Sequence, residues 1–142
     1  MKKEFLILHK PDDLTDCFDI RNEVFILEQK FEAEIEIDEN DDIAYHVKLM
    51  IDDQPAATAR YFNDGEHWHL GRFAILKQYR SLGLGRQMLE VIENDLKEKG
   101  INYLCLSSQH QVIEFYEKCG YEKVGDMYLE EDYPHIKMEK YL

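Results

Sequence analysis

In the first half of the chain, apolar residues come in short runs separated by turn signals. Residues 5–9 read as a strand, closed by the breaker Pro11-Asp12-Asp13. Cys17, Phe18, Ile20, Val24, Phe25 and Leu27 then give an apolar helical face, with Thr15 or Asp16 placed to cap it. Residues 44–51, 55–62 and 67–75 read as three strands. Between them, Asp52-Asp53-Gln54 and Asn63-Asp64-Gly65 are turn signals that predict antiparallel hairpins. The pattern then changes period. Leu84, Met88, Val91, Ile92 and Leu96 recur at helical spacing, and Lys99-Gly100 closes that helix. Residues 103–106 predict a short buried strand, and Val112, Ile113, Phe115 and Tyr116 a short helix ended by Gly120. Residues 121–127 and 136–141 supply two final strands. The order β-α-β-β-β-α-β-α-β-β runs from antiparallel strands into a β-α-β unit. It predicts an α/β fold around one central mixed, mostly antiparallel sheet flanked by helices.

Composition narrows the picture. A length of 142 residues with 44% apolar content suits one domain, 1–142, with one core. Thirty acids against 17 bases leave a formal charge of −13, which argues against nucleic acid because phosphate binding needs clustered Lys and Arg. An acidic surface can attract a cationic small substrate, although solubility accounts for it more simply. Residues 32–42 hold seven carboxylates and read as a solvated loop or short helix. Three cysteines, an odd number without a C-x-x-C pair, argue against a disulfide scaffold or zinc ribbon. Cys105, inside Tyr103-Leu104-Cys105-Leu106, reads as a core thiol. The N-terminal apolar run is too short for a signal sequence, and no stretch approaches the ~18 apolar residues of a membrane span. The expected location is the cytoplasm, with no membrane partner.

The segment with most chemical content is Arg80-Ser81-Leu82-Gly83-Leu84-Gly85-Arg86, between a strand and an amphipathic helix. A helix N-terminus offers unpaired N–H groups and a positive dipole end, glycines let the backbone approach an anion closely, and Arg80 and Arg86 add charge. Spacing excludes two relatives of this turn. A dinucleotide fingerprint needs glycine where Met88 stands, and a P-loop needs Lys-Ser or Lys-Thr where Arg86-Gln87 stands. Taken alone, the turn is equally a ligand-free strand-to-helix connection. Metal sites fail on composition: His67-Trp68-His69 offers two ligands without a third, and Asp38-x-Asn40-x-Asp42 lacks the Gly and Glu of a calcium loop at Ile43 and Leu49. No metal is expected.

Residues 72–85 resemble the acetyl-CoA signature of the GNAT superfamily of N-acetyltransferases, a strand and connector followed by [QR]-x-x-G-x-[GA] opening a helix. Phe115-Tyr116-Glu117-Lys118-Cys119-Gly120-Tyr121 resembles the same superfamily's F-Y-x-K-x-G-[FY] block, in the expected order and separation. Arg21-x-x-Val24-Phe25-x-x-Glu28-Gln29, Glu36-Ile37-Asp38, Ser107-Ser108-Gln109 and Pro134-His135-Ile136 are similar to the ElaA/YjcF-type bacterial branch. The resemblance implies a sheet splayed between its fourth and fifth strands. It also implies acetyl-CoA as cosubstrate, a small-molecule amine as acceptor and, since superfamily dimers are common, a homodimer. Acetyl-CoA would be held by Arg80, Ser81, Leu82, Gly83, Leu84, Gly85 and Arg86, by the backbone of Phe73, Ala74 and Ile75, and by Tyr116. The superfamily's pantetheine-contacting Asn is replaced here by Ser107-Ser108-Gln109, so the contact to the arm falls to one of these three, Gln109 among the expected cofactor residues.

Acyl transfer to an amine needs a neutral amine, a donor for the carbonyl oxygen and a proton donor for the departing thiolate. The resemblance puts Tyr116 at the thiolate and the Phe73 amide at the carbonyl. Strand parity places His69 on the same face as Phe73, where an imidazole can relay the amine's proton. Glu28 is the rival base, since the first-helix region overhangs the acceptor in this superfamily. Glu28, His110 and His135 are expected around the acceptor. A second expectation from a different class is an acetyl-CoA-binding sensor or interaction module with little turnover; intact Tyr116 and His69 weigh against it.

Overall fold

The computed structural model describes residues 1–31 and 37–142. Seven strands, Lys3–His9 (β1), Tyr45–Ile51 (β2), Gln54–Asn63 (β3), Trp68–Ile75 (β4), Tyr103–Gln109 (β5), Glu122–Glu130 (β6) and Tyr133–Tyr141 (β7), form one sheet in the order β1-β2-β3-β4-β5-β7-β6. The pairs β1–β2, β2–β3, β3–β4, β5–β7 and β6–β7 are antiparallel. Strands β4 and β5 are parallel, and they pair only through His69–Cys105 and Leu70–Leu106. Past that contact they part, which is the splay that the resemblance implies.

Helices cover both faces. Leu84–Glu98 (α2) buries Leu84, Met88, Leu89, Ile92 and Leu96 against Leu49, Tyr61, Leu70, Leu104, Leu106 and Met138 of the sheet. Ile113–Lys118 (α3) adds Tyr116 to the same core. Thr15–Arg21 (α1) continues as wider π turns over Asn22–Glu28, and packs Ile20 and Val24 on Ala74 and Leu76 from the other face. Neither Thr15 nor Asp16 caps α1. Asp13 does that work instead, accepting from the Thr15 backbone N–H and hydroxyl at 2.9 and 2.6 Å.

Two details of register position the site. Arg60 pairs with Gly71 but Thr58 pairs with Ala74, so β4 carries one extra residue between Gly71 and Ala74, and Arg72 there has φ +48°. A bulge reverses strand parity. His69 therefore does not share a face with Phe73, as simple alternation requires. The Phe73 ring meets Phe115 and Tyr116 on the α2/α3 face, while His69 lies beside Phe62 and Cys105 on the α1 face. The other detail is the hairpin joining β6 to β7. Its two connecting residues, Glu131 and Asp132, have φ +53° and +59°, the conformation of a tight two-residue turn, and it locks Glu130 opposite Tyr133 and Tyr128 opposite His135.

The acidic stretch departs from its expected solvated surface. Glu39–Asp42 forms a 3₁₀ turn capped by Asp38, and Asp41 is buried against Arg21 and Arg60. Glu36 and the earlier acids of that stretch fall in residues 32–36, outside the described residues.

Candidate active site

The turn before α2 is shaped by backbone conformation. Ser81 and Gly83 have φ +66° and +76°, and Gly83 takes the N-cap position with no side chain capping the helix. The first-turn N–H groups of α2 are thus left without side-chain acceptors, the arrangement that suits an anion. Gly83 is free of neighbours, so its dihedral angle is what calls for glycine. Gly85 has the opposite reason: a Cβ there would stand 2.8 Å from the Phe115 ring, so its absence lets α2 seat against α3.

This turn opens onto a cavity of about 900 Å³ lined from both faces of the sheet. Phe73, Phe115 and Tyr116 line it on the α2/α3 side; Phe25, Phe62, His69, Ser107 and His135 line it on the α1 side. The two halves meet where β4 and β5 part. Ala74, Ile75, Arg80, Ser81, Gly83, Leu84, Gly85, Gln109 and Glu28 also line it, whereas Leu82, Arg86 and His110 do not.

The basic residues of the turn are already engaged. Arg80 donates through Nε to the Ile75 carbonyl at 2.9 Å and through both terminal nitrogens to Glu28 at 2.7 Å. That guanidinium holds the Glu28 carboxyl below its ordinary range, which makes it a weak proton acceptor. Arg86 donates to the Lys118 carbonyl at 2.8 Å, tying α2 to α3.

Tyr116 is buried, with ring-edge contacts to Phe73, Phe115 and Tyr121 at centroid separations of 6.2, 5.1 and 5.8 Å. Burial, aided by the nearby Cys119, pushes its phenol well above the usual value, so it stays neutral and able to donate. Burial also raises Cys119, which argues against nucleophilic thiol chemistry there. Burial lowers the pKa of His69, with Asp64 and Glu130 pulling the other way. Its imidazole is therefore neutral near pH 7. Its Nδ1 lies 3.5 Å from Cys105 Sγ, which in turn lies 3.5 Å from the Trp68 carbonyl oxygen, so the expected core thiol also braces a cavity residue.

The remaining expected residues sit at the far end of β5. Gln109 donates to Gln29 at 3.0 Å and accepts from Gln111 at 2.6 Å. His110 is exposed and lies against Tyr133. His135 is buried, its Nδ1 2.7 Å from the Tyr133 carbonyl oxygen. Sequence reasoning gave no site role to Asp38, Arg60, Arg72 and Glu130, all of which line the cavity, as does Ser107. Arg60 reaches Asp38 at 2.6 and 3.0 Å, Arg72 reaches it at 3.4 Å, and the Ser107 hydroxyl bonds that of Tyr128. The closeness of Pro134-His135 to the hairpin turn was the signal available for Glu130. Among the described residues, no cluster of three or more His, Cys, Asp or Glu side chains could hold a metal, and no helix is long and apolar enough to cross a membrane.

Comparison with known proteins agrees with this geometry. The family profile of the acetyltransferase (GNAT) domain matches residues 13–142. The uncharacterised N-acetyltransferase YjcF of Bacillus subtilis is 31% identical over 136 residues, covering 95% of this chain and 97% of that one. Among solved structures, an acyl-CoA N-acyltransferase from Pseudomonas aeruginosa superposes with a TM-score of 0.88 at 27% identity, covering 98% of this chain and 99% of the other. Escherichia coli ElaA gives 0.87 at 26% identity, with the same coverage.

Proposed function

The chain belongs to the GNAT acetyltransferase family, and on that premise we propose that it moves an acetyl group from acetyl-CoA to the primary amine of a small molecule, by direct attack in a ternary complex. The observation that carries this reading is the cavity through the β4–β5 gap, with an open helix N-terminus at one end and a neutral imidazole on the other face. The site fits CoA: the uncapped first turn of α2 would take its pyrophosphate, and the strand edge at Phe73, Ala74 and Ile75 its pantetheine amides, as an added strand would pair.

In this reading His69 takes one proton from the acceptor, which enters from the α1 face. The neutral nitrogen then adds to the thioester carbonyl. The Phe73 amide stabilises the charge gained by the carbonyl oxygen. The C–S bond breaks as Tyr116 gives its proton to the departing sulfur, the nitrogen's second proton replaces it on the phenol by way of solvent, and CoA leaves as the free thiol. Glu28, paired with Arg80, positions that arginine at the turn instead of serving as the base. The test is an acceptor panel with acetyl-CoA, read by thiol release and by mass spectrometry of the acetylated amine. Tight CoA binding without acetylation of any amine would favour a sensor role.

A further inference from the structure

The α1 side of the cavity holds a pair of polar groups that this transfer scheme leaves unused. The His135 side chain is 6% exposed. Its Nδ1 lies 2.7 Å from the Tyr133 carbonyl oxygen, so in the neutral ring the hydrogen sits on Nδ1 and donates there. Nε2 is left with its lone pair. Facing Nε2 at 3.5 Å is Oε2 of Glu130, a half-exposed carboxylate. A charge-assisted hydrogen bond would be about 2.7–2.9 Å. Two acceptors therefore face each other at a separation that lets one donor nitrogen, seated beside the pair, bond both.

Their placement is fixed, not incidental. The two-residue turn at Glu131–Asp132 sets Glu130 beside the start of β7. The Tyr128 ring stacks on His135 at 6.3 Å, and its hydroxyl bonds Ser107 at the edge of the β4–β5 gap. Both Glu130 and His135 line the cavity. From the opposite edge, the Glu130 charge acts on His69 against the effect of burial, so this carboxylate lies within electrostatic reach of both imidazoles. The guanidiniums of the cavity are each matched by carboxylates: Arg60 by Asp38 and Asp41, Arg72 by Asp38, and Arg80 by Glu28.

We propose that Glu130 and Nε2 of His135 form an ammonium seat that selects acceptors arriving as cations, primary alkyl- or aralkylammonium ions without a carboxylate beside the amine. Two ammonium N–H groups would donate to Oε2 and Nε2, and Phe25 and Phe62 would cover the apolar body. This rests on the acetyl-transfer reading only for the later fate of the amine, which gives up its proton to His69 before it attacks. A carboxylate on the same carbon would bring a second negative charge against Glu130 and Glu131, with no uncommitted guanidinium among Arg60, Arg72 and Arg80 to receive it.

The test separates the seat from the chemistry. In ¹⁵N-histidine-labelled protein without CoA, butylammonium should shift the His135 Nε2 resonance saturably, and 1-butanol should not. Glu130→Gln should weaken that binding by about 10- to 100-fold, the scale of a lost hydrogen bond to a charged group. Glu130→Asp should retain part of it. In turnover, Glu130→Gln should raise KM for tyramine with kcat little changed, and tyrosine should be the poorer acceptor. Equal shifts by butylammonium and butanol, or unchanged butylammonium affinity in folded Glu130→Gln, would overturn the seat. Tyrosine acetylated as well as tyramine would also overturn it and leave acetyl transfer standing. Glu130-dependent binding of butylammonium without acetylation of any amine would keep the seat and remove the transferase reading.

Discussion

Burial suits Tyr116 to the donor role proposed for it. Its phenol is held above its ordinary pKa, so it is a poor source of free protons but a dependable neutral donor. Tyr116→Phe keeps the ring contacts with Phe73 and Phe115 and removes only the hydroxyl. Turnover is expected to fall by about 10- to 100-fold while CoA affinity, measured by calorimetry, stays within about threefold. An undiminished rate with a validated acceptor would reduce Tyr116 to packing. The two glycines of the turn separate in the same way. Gly83→Ala must hold φ near +76° and should cost about 1 kcal/mol, with weaker CoA binding as the turn relaxes. Gly85→Ala drives a methyl group to 2.8 Å from the Phe115 ring and should cost about 1–3 kcal/mol by overpacking. Urea denaturation of the two variants checks both figures.

The bulge in β4 decides which side chain works on which face of the sheet. Because it places His69 opposite the half-cavity of Phe73 and Tyr116, His69→Ala should leave CoA affinity unchanged and act on the acceptor's proton alone. Burial lowers the pKa of His69 below its usual 6.5, so in the parent protein the rate should rise through that lowered value and level off by neutral pH. In His69→Ala that limb should vanish, and activity should climb only as the amine sheds its own proton at high pH. A retained neutral limb would move the base elsewhere. This is also where sequence reasoning reached its limit. The glycine turn and the Phe115–Tyr121 block were legible because each is a local pattern whose spacing carries its geometry. The succession of strands and helices followed from turn residues and period, whereas the insertion of β7 between β5 and β6 had no local signal. The bulge did not, since counting by twos assumes an unbroken ladder, and nothing about Gly71-Arg72-Phe73 marks an extra residue. The polar tail of β5, Ser107-Ser108-Gln109, lacks an apolar signal. It is a strand because β7 pairs with it.

What holds α1 against the sheet is a buried charge network that composition alone disguised as solvated acid. Arg21 and Asp41, each 1% exposed, bond at 2.7 and 3.1 Å, and Arg60 adds Asp41 at 3.0 Å and Asp38 at 2.6 Å. The network joins α1, β3 and the turn before β2, and His46 on β2 lies 3.2 Å from the Asp41 carbonyl oxygen. Burial alone would raise the Asp41 carboxyl, but Arg21 and Arg60 outweigh it and hold it at about 2, against 3.8 for a free side chain. A folded pKa below the unfolded one means that the unfolded chain binds more protons in that window. The stabilisation, about 2 kcal/mol, is therefore complete above pH ~4 and is lost as pH falls toward 2. Burial also lowers His46 below its usual 6.5, so the unfolded chain gains that proton first and a separate loss should begin below pH ~6.5. Asp41→Asn isolates the lower-pH part. At pH 7 it removes the buried carboxylate that Arg21 and Arg60 share, while Arg60 keeps Asp38, and should cost about 3–5 kcal/mol. As pH drops from 4 to 2, the parent's own Asp41 becomes protonated and the gap between the two proteins should narrow. Titration of the remaining carboxylates proceeds in both proteins, so the difference between their urea midpoints at each pH reports Asp41. Midpoints that stay a constant distance apart down to pH 2 would mean that the carboxylate's charge does not hold α1 in place.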